Sequence, residues 1–218
     1  MSTDATVASV VLAADGPSFS AGADLDWMRK AASQTRADNI ADARELAHLM
    51  RALDGLEKPT IAAVQGAAYG GALGLIACCD VAIASIKAKF SFSEARLGLI
   101  PAVISPYVVA AIGTRNARRY FQSAEVFDAE TAKEIGLIQE LCAPEDLSIK
   151  VEKLAASFAL AAPYAKSAAK RLIKDIAYRT PSESLDEFTA TVIADTRAGE
   201  EAREGLAAFF EKRKPSWQ

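Results

Sequence analysis

The sequence predicts an α/β fold followed by a helical C-terminal region, and two observations lead to this prediction. Short, almost wholly apolar segments such as Thr60–Val64 and Val81–Ala84 alternate with segments whose apolar residues recur at helical spacing. Apolar strands separated by helices are typical of a mainly parallel sheet that helices cover on its faces. From Pro144 onward the helical pattern continues to the end of the chain. We therefore predict an α/β core in residues 1–142 and a helical region in residues 143–218.

The elements of the predicted core follow one another along the chain. Val7–Ala14 is a β-branched segment that ends at an Asp-Gly-Pro turn, which favours a first strand. Apolar residues at helical spacing predict a helix over Asn39–Leu56, which stops before a Lys-Pro pair. After the two apolar strands, a helical hairpin is expected around Arg115–Ile135, and a last strand over Leu137–Cys142.

Two prolines and a basic cluster mark the ends of helices in the C-terminal region. Pro163 and Pro181 lie where first helical turns are expected to begin, because proline is well accommodated there. Lys212, Arg213 and Lys214 are expected to complement the negative end of the last helix.

Composition and charge limit the class of partner. The 218 residues are 51% hydrophobic and carry a net charge of −3, without a block of lysines and arginines. A nucleic acid or an anionic membrane would need a clustered basic surface, so neither partner is expected.

Cys78, Cys79 and Cys142 lack metal-ligand spacing and are interpreted as core residues in a reducing compartment, with no metal site. The sequence shows neither a signal peptide nor a membrane-spanning stretch, and we expect a cytoplasmic protein.

Two turns rich in small residues each follow a predicted strand or its turn. The first is SFSAGADL (residues 18–25), and the second is YGGALGLIACCD (residues 69–80). At the start of a helix the backbone N–H groups have no intrahelical acceptor, and small side chains let a ligand oxygen approach them. Two such turns that face each other would form an oxyanion hole for an acyl carbonyl. The alternative is ordinary strand-to-helix turn chemistry, which explains most Gly-Gly pairs.

Three motifs, taken in order, resemble the enoyl-CoA hydratase/isomerase (crotonase) family: SFSAGADL, KPTIAAVQGAAYGGALGL and FSFSEARLGLIP. The segments AKEIGLI and EGLAAFFEKRKPSW extend the resemblance over nearly the whole chain. The resemblance implies a spiral of ββα units followed by a helical C-terminal region, and assembly into a homotrimer or a hexamer. It also implies an acyl-CoA thioester as substrate and no separate cofactor, since coenzyme A is part of that substrate.

The resemblance further implies the roles of individual residues. The two N–H groups of the oxyanion hole fall on Ala21 and Gly71, and the catalytic carboxylate falls on Glu94. The residues that we expect to contact the substrate are Gly22, Ala23, Asp24, Gly70, Gly74 and Arg96.

One glutamate of the family pattern is absent. Hydratases of the family usually polarise water between two glutamates, and the first of these positions is Gly74 here. With Glu94 alone, both hydration and a double-bond shift through an enolate remain open. The segments GALGLIACCD and RLGLIPAVISPYV resemble the methylglutaconyl-CoA and carboxygeranoyl-CoA hydratase-like branch, which favours hydration of a branched or carboxylated 2-enoyl-CoA. Arg96 could bind such a carboxylate through two hydrogen bonds; the alternative is an exposed arginine paired with a nearby acid.

The chain begins at what the family pattern makes its second ββα unit. Family members usually carry an opening unit of several dozen residues that helps to hold the CoA. A misassigned start, a trimmed chain and a naturally shortened family member are the alternatives here, and a non-catalytic member that lost this unit and one glutamate is a further hypothesis. The intact glycine turns and Glu94 favour an enzyme.

Several conspicuous residues also have structural interpretations. Asp24 is expected to cap the helix that follows the first turn. His48, the single histidine, matches no family motif and has no G-x-S-x-G serine as a partner. Trp27, Met28 and Tyr69 are candidates for the acyl pocket or for the core.

Two groups of basic residues are candidates for contacts with CoA. Arg115, Arg118 and Arg119 are interpreted as a solvated helix face. The resemblance gives Lys212 and Lys214 a better claim, because the C-terminal region of family members contributes to CoA binding.

Overall fold

The computed structural model describes residue 4 and residues 6–218 of the chain. Its strands are, in chain order, β1 (Val10–Leu12), β2 (Ser18–Ser20), β3 (Thr60–Val64), β4 (Ala67–Tyr69), β5 (Val81–Ser85), β6 (Lys89–Ser91), β7 (Phe127–Asp128) and β8 (Glu140–Cys142). Its α-helices are α1 (Leu25–Ser33), α2 (Arg36–Asp54), α3 (Gly71–Cys78), α4 (Ser105–Ser123), α5 (Ala129–Glu134), α6 (Leu147–Ala159), α7 (Pro163–Ile176), α8 (Glu183–Ala198) and α9 (Glu200–Phe210). Two 3₁₀ turns cover Ser93–Leu97 and Pro144–Asp146. Within this described part, no helix combines the length and the apolar character needed to cross a membrane.

The strands of the described residues form two four-stranded sheets, with strand orders β1-β3-β5-β8 and β2-β4-β6-β7. The pairs β3/β5, β5/β8, β2/β4 and β4/β6 are parallel, and the pair β6/β7 is antiparallel. The strands β1 to β6 alternate between the sheets, so each ββα unit gives one strand to each sheet. This confirms the predicted α/β fold of ββα units. The sequence pattern predicted only one sheet, because the strands of the second sheet are two or three residues long.

The bounds of several elements differ from the predictions for local reasons. β3 has the predicted bounds, and all five of its residues are buried. β1 is shorter than the predicted segment Val7–Ala14. α2 begins earlier than predicted because Thr35 and Asp38 form a capping box at its start. α4 bends at Gly113 (φ 72°, ψ 159°), so the expected helical hairpin consists of the second half of α4 and α5.

The main hydrophobic core lies between the sheets and the helices α2 to α5. Met50, Leu73 and Phe90 are fully buried in it, each with 0% exposure. Cys78 and Cys142 are also buried, as predicted for core residues, and Cys79 is half-buried. Buried cysteines of this kind behave as small apolar side chains.

By their contacts, the described residues divide into two compact units. The first, which we call the sheet unit, comprises Val11–Leu56 and Thr60–Lys153. The second, the helical unit, comprises the described residues up to Val10, together with Glu57–Pro59 and Leu154–Gln218. The predicted division of the chain into a core and a helical region stays a prediction.

In the helical unit, the start of α7 is capped from α9. The carboxylate of Glu201 accepts hydrogen bonds from the backbone N–H groups of Tyr164 at 2.8 Å and Ala165 at 3.0 Å. α7 begins at Pro163, as predicted. Because its N-cap residue Ala162 has no side-chain oxygen, Glu201 supplies the acceptor that the helix start needs.

Two predictions about helix ends in this unit are wrong. The side chain of Ser182 caps α8, so Pro181 lies before the helix and not in its first turn. α9 ends at Phe210, before the basic cluster that was expected to complement its last turn. Arg213 donates instead to Glu204 at 2.6 and 2.8 Å. These hydrogen bonds lower the pKa of Glu204 to about 2.

Candidate active site

Three neighbouring strands of the second sheet end at the same edge. β2, β4 and β6 are parallel, with Ser20 opposite Ala68, and Tyr69 opposite Ser91. The carboxyl ends of parallel strands meet at one edge, where adjacent strands lie about 4.8 Å apart. The two glycine-containing turns and the segment that carries Glu94 follow these three strands. The fold therefore brings the predicted site segments together at this edge.

Gly70 and Gly71 form the turn between β4 and α3. Gly70 has a positive φ of 58°, which favours glycine, and its N–H donates to the carbonyl of Ser91 at 3.0 Å. Gly71 is the first residue of α3, so its N–H has no acceptor inside the helix. A methyl group built on Gly71 would meet no atom within 4 Å. Gly71 thus combines open space at its side-chain position with an N–H that has no acceptor inside the helix, and an oxyanion hole requires such a donor.

The turn after β2 is exposed and leads into α1. Gly22 has a φ of 110°, and its N–H donates to the hydroxyl of Ser20 at 3.3 Å. The Oδ1 atom of Asp24 accepts a hydrogen bond from the Trp27 N–H at 2.8 Å, which confirms the predicted helix cap. The oxyanion-hole and substrate roles of this turn stay predictions; its residues are Ala21, Gly22, Ala23 and Asp24.

Glu94 lies in the 3₁₀ turn that follows β6. Its Oε1 atom lies 3.4 Å from the position that a Cβ atom of Gly70 would take, so the carboxyl group faces the glycine turn. Its Oε2 atom is buried and has no hydrogen-bond partner among the described residues. Burial raises the pKa of this carboxyl above its ordinary value of 4.5, because desolvation disfavours the charged form. A carboxyl with a raised pKa and an oxygen that has no hydrogen-bond partner among the described residues is suited to proton transfer.

Ser93, the residue before Glu94, faces the same glycine turn. Its Oγ atom lies 3.8 Å from the position of a Gly70 Cβ atom. Nothing in the described chain forms a hydrogen bond with this hydroxyl. A hydroxyl and a carboxyl thus flank one point in front of Gly70.

Gly74 lies inside α3 and is buried against two core side chains. A methyl group built on Gly74 would collide with Cγ2 of Ile104, and it would lie 2.6 Å from Ile104 Cβ and 3.3 Å from Met50 Sδ. Ile104 is only 2% exposed, and Met50 is fully buried. Close packing therefore explains the glycine at this position, and a substrate contact at Gly74 stays a prediction.

Arg96 lies on the exposed side of the 3₁₀ turn that carries Glu94. In the part of the chain that the structure describes, its guanidinium forms no ion pair, so the expected pairing with a nearby acid is not seen there. The next residues include two exposed apolar side chains, Leu97 at 58% and Ile100 at 76%. A contact between Arg96 and the substrate stays a prediction.

Comparison with known proteins decides the family. A family model described as Enoyl-CoA hydratase/isomerase matches residues 1–218. The chain belongs to the enoyl-CoA hydratase/isomerase family. The resemblance carried by the three sequence motifs is thereby confirmed.

Relatives with a solved structure or a named activity cover nearly the whole of this family member. An enoyl-CoA hydratase from Shewanella pealeana is 46% identical, with a TM-score of 0.95 over 99% of this chain and 81% of its own. The crotonyl-CoA hydratase of Syntrophomonas wolfei is 32% identical over 98% of this chain and 82% of its own length. The 2,3-dehydroadipyl-CoA hydratase of Escherichia coli is 31% identical over 99% and 83%, respectively. An enzyme of the enoyl-CoA hydratase class, with an acyl-CoA substrate, fits this family.

His48 is a surface residue, and Trp27 is too exposed for its alternative interpretation as a core residue. His48 is exposed on α2, with its Nδ1 atom 3.9 Å from Glu45 Oε1. Trp27 is 48% exposed, and Met28 and Tyr69 are half-buried. A part for the last three in the acyl pocket stays a prediction.

The basic groups behave as exposed surface. Arg115, Arg118 and Arg119 lie on the exposed face of α4, as interpreted from the sequence, and Arg119 pairs with Glu125 at 2.7 Å. Lys212 and Lys214 are exposed, and their contact with CoA stays a prediction. In the described residues, no three His, Cys, Asp or Glu side chains lie close enough together to bind a metal ion.

Three residues around the site were not predicted from the sequence: Gln65, Ser93 and Ile104. Gln65 has a local signal, since it is a polar residue between a wholly buried strand and a glycine. Ser93 is marked only by its place beside Glu94. Ile104 has no local signal, because it is far from Gly74 in the chain.

Proposed function

We propose that this chain hydrates a 2-enoyl-CoA thioester whose acyl group is branched or carboxylated. The observation that carries the proposal is the carboxyl of Glu94, which faces the Gly70 turn with one buried oxygen that has no partner among the described residues. We assign the oxyanion hole to the N–H groups of Ala21 and Gly71, because both follow the ends of neighbouring parallel strands. The relatives named as hydratases support the reaction class.

In the proposed mechanism, the thioester carbonyl oxygen accepts hydrogen bonds from the Ala21 and Gly71 N–H groups. Glu94 takes a proton from a water molecule while the water oxygen bonds to Cβ of the substrate. The electron pair of the double bond moves toward the carbonyl oxygen, and the resulting enolate is stabilised by the two donors. Glu94 then gives its proton to Cα, which completes the addition of water and restores the carboxylate. These steps need no cofactor beyond the CoA of the substrate.

Ser93 provides a second hydrogen-bonding group for the water. Its Oγ atom and Glu94 Oε1 lie 3.8 and 3.4 Å from the same point in front of Gly70. Both groups therefore face the same turn, and we assign the attacking water to the space between them, where it can hydrogen-bond to each. Two hydrogen bonds orient the attacking oxygen better than one, which lowers the entropic part of the barrier.

An acidic acyl group suits the side chain of Arg96. Its guanidinium is exposed on the same 3₁₀ turn as Glu94 and has no ion pair within the described residues. Arginine binds carboxylates through two parallel hydrogen bonds. The relative named 2,3-dehydroadipyl-CoA hydratase, whose named substrate carries a free carboxyl group, supports this substrate class.

A double-bond isomerase is the second candidate, and the packing beside Gly74 favours it. Ile104 fills the space into which a side chain at this position would project. Without a second carboxylate, Glu94 can still remove a proton from one carbon and return it to another through the same enolate. Hydration adds water across the double bond of a 2-enoyl-CoA, whereas isomerisation moves a proton from Cα to Cγ of a 3-enoyl-CoA without water.

Product analysis with paired substrates tests the proposal. The parent protein should convert a 2-enoyl-CoA to its 3-hydroxyacyl-CoA, whereas an isomerase would convert a 3-enoyl-CoA to the 2-enoyl form. Glu94→Gln should abolish turnover by removing the proton-transfer group, and it should leave binding of the CoA ester nearly intact. Glu130→Gln, at an exposed position of α5, is the matched control. Undiminished activity in Glu94→Gln would overturn the proposal.

We further propose that the protein is a cytoplasmic homotrimer or hexamer without nucleic-acid or membrane partners. Exposed large apolar side chains in the helical unit support assembly: Tyr178 is 86% exposed, and Phe209 and Phe210 are each 76% exposed. Light scattering on the purified protein should give the mass of three or six chains, and the mass of one chain would contradict the assembly.

A further inference from the structure

The side chain of Gln65 holds, through hydrogen bonds, the segment that leads into the first glycine turn. Gln65 follows β3, at the bend before β4. Its amide nitrogen lies within hydrogen-bond distance of three backbone carbonyl oxygens: those of Ala14 at 2.9 Å, Gly16 at 3.1 Å and Ser18 at 3.0 Å. The Gln65 side chain therefore holds a turn that is distant from it in the sequence, by contacts with three of the turn's carbonyl groups.

The backbone of the neighbouring Gly66 packs closely against the same segment. A methyl group built on Gly66 would collide with the carbonyl oxygen of Pro17 and would lie 3.3 Å from Ser18 Cα. The Oε1 atom of Gln65 is buried and has no partner among the described residues. An unpaired buried carbonyl oxygen is unfavourable, so the stabilising contribution of this side chain comes from the hydrogen bonds of its amide nitrogen.

The contact reaches the first residue of β2. β2 begins at Ser18, which is one of the three acceptors, and the chain leaves β2 directly into Ala21. The ladder between β2 and β4 contains only two pairs, with a register shift between Ser18 and Ser20. Because this ladder is short and irregular, it does little to fix the position of the Ala21 N–H. The contacts at the start of β2 therefore contribute more to that position.

We infer that Gln65 is a positioning residue for the oxyanion hole: it sets the Ala21 N–H relative to the Gly71 N–H. This inference rests on the proposed function, since it needs both groups to bind one thioester oxygen. Gln65 lies on the connection between β3 and β4, and β4 leads to Gly71. It therefore links the two halves of the hole through one amide.

Gln65→Leu keeps the approximate volume and removes the donor, so it tests the inference. We expect kcat with a 2-enoyl-CoA to fall by about tenfold to a hundredfold, because a misplaced oxyanion donor weakens the transition state. KM should change by less than about threefold, since ground-state binding needs this geometry less. The second readout is acetoacetyl-CoA, which can ionise to an enolate with near-ultraviolet absorbance. The fraction bound as enolate should fall in Gln65→Leu.

Gln139→Leu is the matched control. Gln139 also ties the backbone through its amide, since its Oε1 atom accepts from the Ala82 N–H at 2.6 Å, but it serves the other sheet. This variant should lose thermal stability without changing kcat or the enolate fraction. If Gln65→Leu does not fold, Gln65→Asn carries the same prediction, because it withdraws the amide by one methylene group.

The outcomes separate this inference from the proposed reaction. If the parent protein hydrates no ester but binds the acetoacetyl-CoA enolate, the reaction fails, and the enolate fraction of the Gln65 variants still decides the positioning role. A folded Gln65 variant that loses stability but keeps the parent kcat and enolate fraction would overturn the inference. Absence of enolate binding by the parent would overturn it as well.

Discussion

Substitution of Gly74 by alanine should destabilise the protein, although the same change inside most helices stabilises it. Alanine in a helix interior is favoured over glycine by roughly 0.5–1 kcal/mol. In α3, however, the added methyl group would collide with Ile104 Cγ2 and lie 2.6 Å from Ile104 Cβ. Ile104 and Met50 are 2% and 0% exposed, so neither can turn away into solvent. Overpacking of this kind costs roughly 1–3 kcal/mol, and we expect a net loss of about 1–2 kcal/mol.

A double-mutant cycle identifies the cause of this loss. Ile104→Ala alone should cost about 2–5 kcal/mol, because it leaves a cavity beside the glycine. In the double variant the new methyl group of residue 74 occupies part of that cavity, so the combined cost should be smaller than the sum by at least about 1 kcal/mol. Urea unfolding with linear extrapolation measures all four proteins. Gly71→Ala is the control in the same helix, since no atom lies within 4 Å of its Cβ position and its stability should not fall.

Two results would refute this reasoning. A Gly74→Ala protein as stable as the parent would show that Ile104 does not restrict the site, and strict additivity of the two changes would show that the two residues are not coupled. The same packing predicts that Gly74→Glu does not introduce a working second carboxylate. A glutamate at this position needs Ile104 shortened at the same time.

Three further variants test the site and its support. Burial raises the pKa of Glu94 above 4.5, so the contribution of this group to stability is present below that pH and is lost as pH rises through the raised value. Glu94→Gln cannot ionise and should therefore be more stable than the parent at pH 8, with a difference that shrinks toward pH 4; a constant difference in thermal unfolding would contradict this. Arg96→Met should raise KM at least about tenfold for a carboxylated enoyl-CoA and much less for a plain one, and equal effects in steady-state kinetics would dismiss the carboxylate contact. Glu201→Ala should cost roughly 1 kcal/mol by uncapping α7, whereas the exposed neighbour Glu200 should tolerate alanine; equal unfolding midpoints for the two variants would contradict the cap.

The long elements of the fold could be predicted from the sequence, and the short strands could not. β3 and β5 are continuous apolar segments, and α2 carries apolar residues at helical spacing, so each has a strong local signal. β2 and β4 are three residues long and consist mostly of serine and alanine. Such segments have little β-propensity of their own, and they form strands because neighbouring strands supply hydrogen-bond partners.

The candidate site was predicted from the order of the motifs, and its geometry required the fold. Glu94 and Gly71 stand in recognisable motifs, but their meeting depends on three parallel strands that end at one edge. The packing of Gly74 against Ile104 is a tertiary contact, and hydrophobic periodicity in the sequence does not predict it. The sequence marks Gln65 as the polar residue after a wholly buried strand. It does not predict which three carbonyl oxygens the side chain meets.

A mechanism in which Glu94 alone transfers protons predicts a simple dependence of activity on pH. Burial raises the pKa of Glu94, a backbone hydrogen bond opposes the shift, and no neighbouring charge contributes to it. Two carboxyls close together would titrate as a coupled pair with two apparent pKa values. The hydroxyl of Ser93, which flanks the same point, is neutral and adds no such coupling.

Hydration needs Glu94 as a carboxylate to accept the proton of water, so kcat/KM should fall as pH drops through the raised pKa of this group. The acid limb of the profile should have the slope of one proton. Ser93→Ala should lower kcat about tenfold through the lost hydrogen bond to water, and it should leave the midpoint of the acid limb in place. Ser93→Thr, which keeps a hydroxyl, is the control. An acid limb with the slope of two protons would show that a second carboxyl takes part, and the one-carboxylate mechanism would then be wrong.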